Sequence, residues 1–200
     1  MTKKRLTRGF FDRPTLTVAK ELLGKFLVRK IGADEFSATC PAQNREGLQR
    51  DNVLCGMITE VEAYCGPRDL ASHASRGRTP RTKVMFGPPG HAYVYLIYGM
   101  HHCFNIVTEK DGYPAAVLIR GVCPVRGRSP LGGRSRAEGV VASNGINGPG
   151  KLCRRFQIDK TLNDEDLTKS NKLWREDRGI KIKSSQIRHS SRIGVDYAGP

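Results

Sequence analysis

Two hundred residues suffice for one domain with a sizeable core and are short for two. No run approaches the roughly 18 apolar residues of a membrane span, and Met1-Thr2-Lys3-Lys4-Arg5 leads into no apolar signal core, so export and membrane anchoring are not expected. With 34 Lys and Arg against 19 Asp and Glu, the net charge is +15. That excess suits a polyanionic partner, because neutralising phosphates releases counterions and gives affinity without sequence readout; a basic surface that is simply well solvated is the plain alternative. Cys40, Cys55, Cys65, Cys103, Cys123 and Cys153 contain no C-x-x-C pair. They read as reduced thiols rather than as a zinc site or disulfide framework, and no metal is expected.

In chain order, Arg13 to Gly24 reads as a helix. Pro14 and Thr15 suit its start, Val18, Ala19, Leu22 and Leu23 form one apolar face, and Gly24 suits its stop. Lys25 to Arg29 reads as a short strand. Residues 32–52 are mixed and polar, as in a loop insertion. Met57 to Tyr64 reads as a strand whose alternation puts Ile58, Glu60, Glu62 and Tyr64 on one face. Glu60 and Glu62 are both candidates for acid–base work, and each could equally lie on a solvated face. Cys65 to Gly90 is a Gly- and Pro-punctuated loop in which Arg68, Arg76, Arg78, Arg81 and Lys83 face only Asp69; it suits phosphate contacts and equally a solvated loop.

His91 to Thr108 reads as a hairpin turning at Tyr98-Gly99-Met100. Tyr93 suits sheet packing. Tyr98, beside the turn of a basic protein, suits a group that wedges into or stacks on nucleic acid, although it too could pack on a sheet. Ala115 to Val122 reads as a strand, and residues 126–147 as a second loop insertion rich in Gly, Ser and Arg. Gly148-Pro149-Gly150-Lys151-Leu152 opens a helix without the spacing of a phosphate-binding loop, since Leu follows Lys151. A short helix is expected within Asn163 to Lys172, a strand over Gly179 to Ile187, and a turn or strand end at Arg192 to Val195.

Several of these pieces recur, in this order, in one family. They are Phe10-Phe11-Asp12, Leu22-Leu23-Gly24-Lys25, Thr59-Glu60-Val61-Glu62-Ala63-Tyr64, Ala71-Ser72-His73 and Thr79-Pro80-Arg81. They continue with Tyr93-Val94-Tyr95-Leu96-Ile97-Tyr98-Gly99-Met100, Asn105-Ile106, Leu118-Ile119-Arg120, Gly148-Pro149-Gly150-Lys151-Leu152 and Arg192-Ile193-Gly194. From about Leu6 to Gly199 the chain resembles the alkyladenine (3-methyladenine, or methylpurine) DNA glycosylases.

The resemblance implies a mixed α/β (α+β) fold, a single domain over residues 1–200 with a curved, mainly antiparallel, barrel-like sheet and a protruding β-hairpin. It implies a monofunctional enzyme of base-excision repair that flips alkylated or deaminated purines out of double-stranded DNA and hydrolyses the N-glycosidic bond with an activated water. Catalytic roles fall on Glu62, rather than Glu60, and on Arg120 and the backbone carbonyl of Ile193, which help position the water. The base pocket falls on Tyr64, His73, Tyr95 and Asn105, and the DNA wedge on Tyr98 with Met100 beside it. No cofactor is implied, and a monomer in a bacterial cytoplasm or a eukaryotic nucleus is expected. Two departures stand out: the segment between Ile31 and Met57 is long for the family, and a further strand, expected to pair near Ile193, would follow the last residues of this sequence. A catalytically impaired DNA-binding module and a basic RNA-binding protein are the other readings.

Overall fold

The computed structural model describes residues 3–32, 52–125 and 145–195. The loop insertions expected at 32–52 and 126–147 therefore lie almost wholly outside the described residues. Two short helices open the chain, α1 at Arg8–Phe11 and α2 at Thr15–Leu22. The second starts two residues later than the sequence suggests. Its first N–H, on Thr15, donates to the Glu109 carboxylate at 3.2 Å, and the Thr15 hydroxyl donates to the same oxygen. A distant acid thus caps the helix and complements its dipole.

Eight strands make one curled antiparallel sheet in a single domain, a half-barrel with few helices. They are β1 (Lys4–Arg5), β2 (Phe26–Lys30), β3 (Val53–Tyr64), β4 (Ala92–Ile97), β5 (His101–Val107), β6 (Ala116–Pro124), β7 (Ile146–Asn147) and β8 (Leu173–Asp177). The order across the sheet is β1-β8-β2-β3-β6-β5-β4, with β7 paired to β6. A third helix, α3 (Pro149–Arg155), begins at the expected Gly-Pro-Gly.

One sheet face carries the main core. Val18 and Leu22 of α2 and Leu152 and Phe156, in and just after α3, pack on Leu27, Phe104, Ile106, Val117 and Ile119, all buried. The opposite face therefore holds the other half of each alternating strand.

Strand β3 corrects the sequence reading. Its register with β6 runs Ile58↔Val122, then Glu60↔Gly121, then Val61↔Ile119, so a β-bulge sits at Thr59-Glu60. Three steps on each strand, 58–61 and 122–119, span this irregular pairing, so the alternation reverses on both strands with no net change of register. Ile58 joins Val61 and Ala63 against the main core, while Glu62 and Tyr64 point the other way. Gly121 opposite the bulge lets Glu60 fold close: a β-carbon there would lie 3.0 Å from the Glu60 β-carbon.

Two further expectations fail. Residues 163–172 form turns, not a helix, because side chains take the backbone donors. Asp166 accepts the Thr168 N–H at 3.0 Å, and the Ser170 hydroxyl accepts the Lys172 N–H at 3.0 Å. Residues 179–187 form no strand; apart from a 3₁₀ turn at Ser184–Gln186 they have no ladder partner among the described residues, and the Ile182 side chain packs toward Gly24. The strand in this part of the chain is instead β8, pairing with β1 and β2.

Candidate active site

The register aligns a row of residues across the face opposite the main core: Glu62 (β3) opposes Leu118 (β6), which opposes Asn105 (β5), which opposes Tyr93 (β4). Residues two positions along share that face, adding Tyr64, Arg120 and the Tyr95–Cys103 pair. The sheet therefore gathers Glu62, Tyr64, Tyr95, Asn105 and Arg120, five of the residues singled out from sequence. His73 arrives from a 3₁₀ turn at His73–Arg76, whose first free N–H, on Ala74, is capped by the Ser72 hydroxyl.

Glu62 is 8% exposed, and three donors fix its carboxylate. Arg120 Nη1 lies 3.2 Å from Oε1, the Ile193 main-chain N–H donates to Oε1 at 3.2 Å, and the Tyr64 hydroxyl donates to Oε2 at 3.0 Å. Arg120 also donates from Nε to Glu60 at 3.0 Å. The two carboxylates thus share one guanidinium but differ in setting, since the Glu60 side chain is 38% exposed. The sequence left these two acids open; the geometry makes Glu62 the enclosed one. Burial and then the adjacent Glu62 carboxylate push the Tyr64 hydroxyl well above the ordinary tyrosine range, so it stays a donor.

The aromatic wall is compact. His73 and Tyr95 meet edge to face at 4.6 Å between ring centroids, and Tyr93 and Tyr95 lie 5.2 Å apart. Tyr93 is buried as the sheet-packing reading expects, and its hydroxyl also meets His73 Nδ1 at 3.1 Å. That contact fixes the imidazole. Burial, followed by Arg81 and Arg76, lowers the His73 pKa, which favours the neutral ring. Asn105 is 2% exposed and donates from Nδ2 to the Tyr93 carbonyl at 3.1 Å, which sets its amide.

The β4–β5 hairpin projects beyond this wall. Tyr98 (φ 51°) and Gly99 (φ 72°) are both left-handed, and the Met100 N–H closes the turn on the Ile97 carbonyl at 3.2 Å. The left-handed pair matches the twist of the flanking strands. Tyr98 is 85% exposed and Met100 70%. A tyrosine kept in a strained conformation and pointed into solvent has no packing role in the free protein.

Sequence reasoning left Arg81 between a phosphate contact and a solvated loop, and assigned no role to Asp69 or Arg192. Arg81 stacks its guanidinium 5.0 Å from the Tyr95 ring centroid. Asp69 and Arg192 join in a bidentate ion pair beside Tyr64. The signals available were the Thr79-Pro80-Arg81 and Arg192-Ile193-Gly194 motifs and, for Asp69, the lone acid among the basic residues of its loop. A groove of about 810 Å³ between α2, β3 and residues 186–193 reaches Glu62 and Ile193. It is lined by none of Tyr64, His73, Tyr95 and Asn105, so it meets Glu62 from a side other than the aromatic wall.

Residues 46–200 match the family model for methylpurine-DNA glycosylase. Three curated relatives each carry the name "Putative 3-methyladenine DNA glycosylase". The one from Methanocella arvoryzae is 50% identical over 197 residues, 97% of this chain and 86% of the relative. Those from Alkaliphilus oremlandii and Myxococcus xanthus are 44% and 45% identical, covering 97% of this chain and 89% and 84% of their own lengths. The chain belongs to the methylpurine-DNA glycosylase family.

Proposed function

We propose that the protein is a monofunctional 3-methyladenine-type DNA glycosylase. It extrudes an alkylated or deaminated purine from duplex DNA and hydrolyses the N-glycosidic bond, leaving an abasic site. The observation that carries this reading is the enclosed Glu62 carboxylate, fixed by Arg120, Tyr64 and the Ile193 main chain at the edge of an aromatic wall on a strongly basic protein.

The steps follow from charge. As the bond from C1′ to the purine lengthens, its electrons leave with the base and positive charge builds on the sugar. Glu62 stabilises that charge and takes a proton from the water whose oxygen bonds to C1′. Arg120 and the Ile193 main chain help hold this water. A purine alkylated at N3 or N7 is cationic and departs neutral, so it needs no proton from the protein; a deaminated or etheno purine is neutral and must take up a proton as it leaves. Its charge is attracted to the faces of Tyr64 and Tyr95 by about 0.5–2 kcal/mol, and a neutral His73 opposes it with no charge. Asn105 is the group we assign to disfavouring the 2-amino substituent of guanine.

Extrusion costs a few kcal/mol, less for a poorly paired base, and Tyr98, flanked by Met100, fills the vacated stack. The +15 charge supports phosphate contacts that carry no sequence information. We assign a monomer acting in the cytoplasm.

Incubation with methylated duplex DNA tests the reading. Free 3-methyladenine should be released, and strand breaks should follow only on alkali treatment. Intact methylated DNA after incubation with folded protein, or strand cleavage without alkali, would contradict it.

A further inference from the structure

Residues 183–195 form a mostly exposed segment that nonetheless delivers a main-chain N–H to Glu62. The other hydrogen bonds made by this segment to the rest of the protein, among the described residues, come from one side chain, Arg192. Its Nη1 donates to Asp69 Oδ2 at 2.6 Å and to the Ala63 carbonyl at 3.1 Å, and its Nη2 donates to Asp69 Oδ1 at 2.9 Å. Its guanidinium lies 5.1 Å from the Tyr64 ring centroid.

Asp69 is a junction in its own right. Oδ2 also accepts the Cys65 N–H at 3.0 Å and Oδ1 the Ala71 N–H at 3.1 Å, so all four acceptor positions are used. Its main-chain carbonyl accepts the N–H of Ser72, the residue that caps the turn carrying His73. One carboxylate therefore ties together the end of β3 after Tyr64, the approach to His73 and the segment holding Ile193.

We infer that the Asp69–Arg192 pair is a latch that positions the Ile193 main chain on Glu62 and sets the two sides of the base pocket, making Arg192 and Asp69 positioning residues for base release. The bidentate geometry and the 10% exposure of the Asp69 side chain make this more than a surface ion pair. The local electrostatics agree: hydrogen bonds from Arg192, Cys65 and Ala71 outweigh the effect of burial and hold the Asp69 carboxyl below its usual range. The inference rests on the glycosylase reading for its rate consequence, while its structural half stands apart.

The test compares wild type with Arg192→Gln, Arg192→Lys, Asp69→Asn and the Asp69→Asn/Arg192→Gln double variant. Single-turnover base release and binding to a duplex carrying one ethenoadenine are measured side by side, with hydrogen exchange of residues 183–195 and the urea midpoint. In Arg192→Gln, release should slow at least tenfold while half-saturating protein concentration changes less than threefold. Exchange across 183–195 should rise, and the urea midpoint should hold. Arg192→Lys should recover part of the rate. The double variant should be no slower than the slower single variant, because both remove the same latch.

Release within twofold of wild type in Arg192→Gln would overturn the positioning role. So would a rate loss matched by equal losses in binding and urea midpoint. Unchanged exchange over 183–195 would overturn the latch itself. A wild-type protein that releases no base from this duplex or from methylated DNA would sink the glycosylase reading, and the exchange result would still decide whether Arg192 anchors the segment.

Discussion

Replacing Tyr98 by glycine should move lesion binding and stability in opposite directions. With 85% of Tyr98 exposed in the free protein, nearly the whole ring is available to a gap in the base stack. Burying about 100 Å² of it at about 25 cal/mol per Å² gives about 2.5 kcal/mol, within the roughly 1–3 kcal/mol of one base–aromatic stack. Tyr98→Gly should then weaken binding to a single-lesion duplex about 70-fold. In the free protein the substitution removes almost no packing and relieves a left-handed tyrosine at φ 51°. That relief is worth about 1–2 kcal/mol, of which the greater freedom of glycine in the unfolded chain returns about 0.5–1. A net gain of about 0.5–1 kcal/mol should raise Tm by about 1–3 °C. Fluorescence titration with an ethenoadenine duplex and a thermal melt read the two effects. Affinity within threefold of wild type, or a lowered Tm, would refute the argument that the hairpin tip stores strain for a DNA contact.

Three other substitutions probe the same framework. Because burial, then Arg81 and Arg76, lower the His73 pKa, its stabilising contribution is present above the ordinary histidine value of 6.5 and is lost as pH falls below it. His73→Gln should therefore lose less stability between pH 7 and pH 5 than wild type, and its binding of a cationic methylated purine should weaken less over that range; parallel pH titrations with identical slopes would contradict this. Gly121→Val drives a side chain against Glu60 at the β3 bulge and should cost about 1–3 kcal/mol of stability together with base-release activity; a wild-type urea midpoint would count against the bulge. Arg175 is fully buried, lies with its guanidinium 5.0 Å from the Phe11 ring centroid, and its three side-chain nitrogens have no hydrogen-bond partner among the described residues. Arg175→Met should raise stability by about 1–4 kcal/mol, read as a higher urea midpoint, and a fall would show that the guanidinium is satisfied.

Much of this architecture was legible in the sequence where alternation and turn chemistry agree. The Tyr98-Gly99 hairpin, the β6 run ending near Arg120 and the Gly-Pro-Gly helix start each combine the two signals, and all three form. The bulge at Thr59-Glu60 left no such signal. A perfect alternation from Ile58 to Tyr64 conceals the irregular pairing at Thr59-Glu60, because Ile58 and Glu62 both suit their opposite faces. Strand β8, Leu173-Trp174-Arg175-Glu176-Asp177, reads as charged because its central arginine is buried by tertiary packing rather than by its own polarity. Residues 179–187 failed in the other sense: Ile180 and Ile182 alternate as a strand would, yet among the described residues no edge pairs with them. At the site, the family motifs supplied Glu62, Tyr64, His73, Tyr95, Asn105 and Arg120. Asp69 and Arg192 stand 123 positions apart, and only the folded chain brings them together.

The central claim is that Glu62 drives base release rather than lesion recognition. Single-turnover incubation of wild type and Glu62→Gln with a duplex carrying one ethenoadenine, at protein concentrations above saturation, tests it most directly. The amide keeps the size of the side chain and its acceptor for the Tyr64 hydroxyl or the Ile193 N–H, but not the charge that Arg120 holds. The account predicts binding within a few-fold of wild type and base release slowed by at least 10²-fold, the scale of a lost general base. Undiminished release by Glu62→Gln would contradict it and turn attention to Glu60, the other carboxylate on the Arg120 guanidinium.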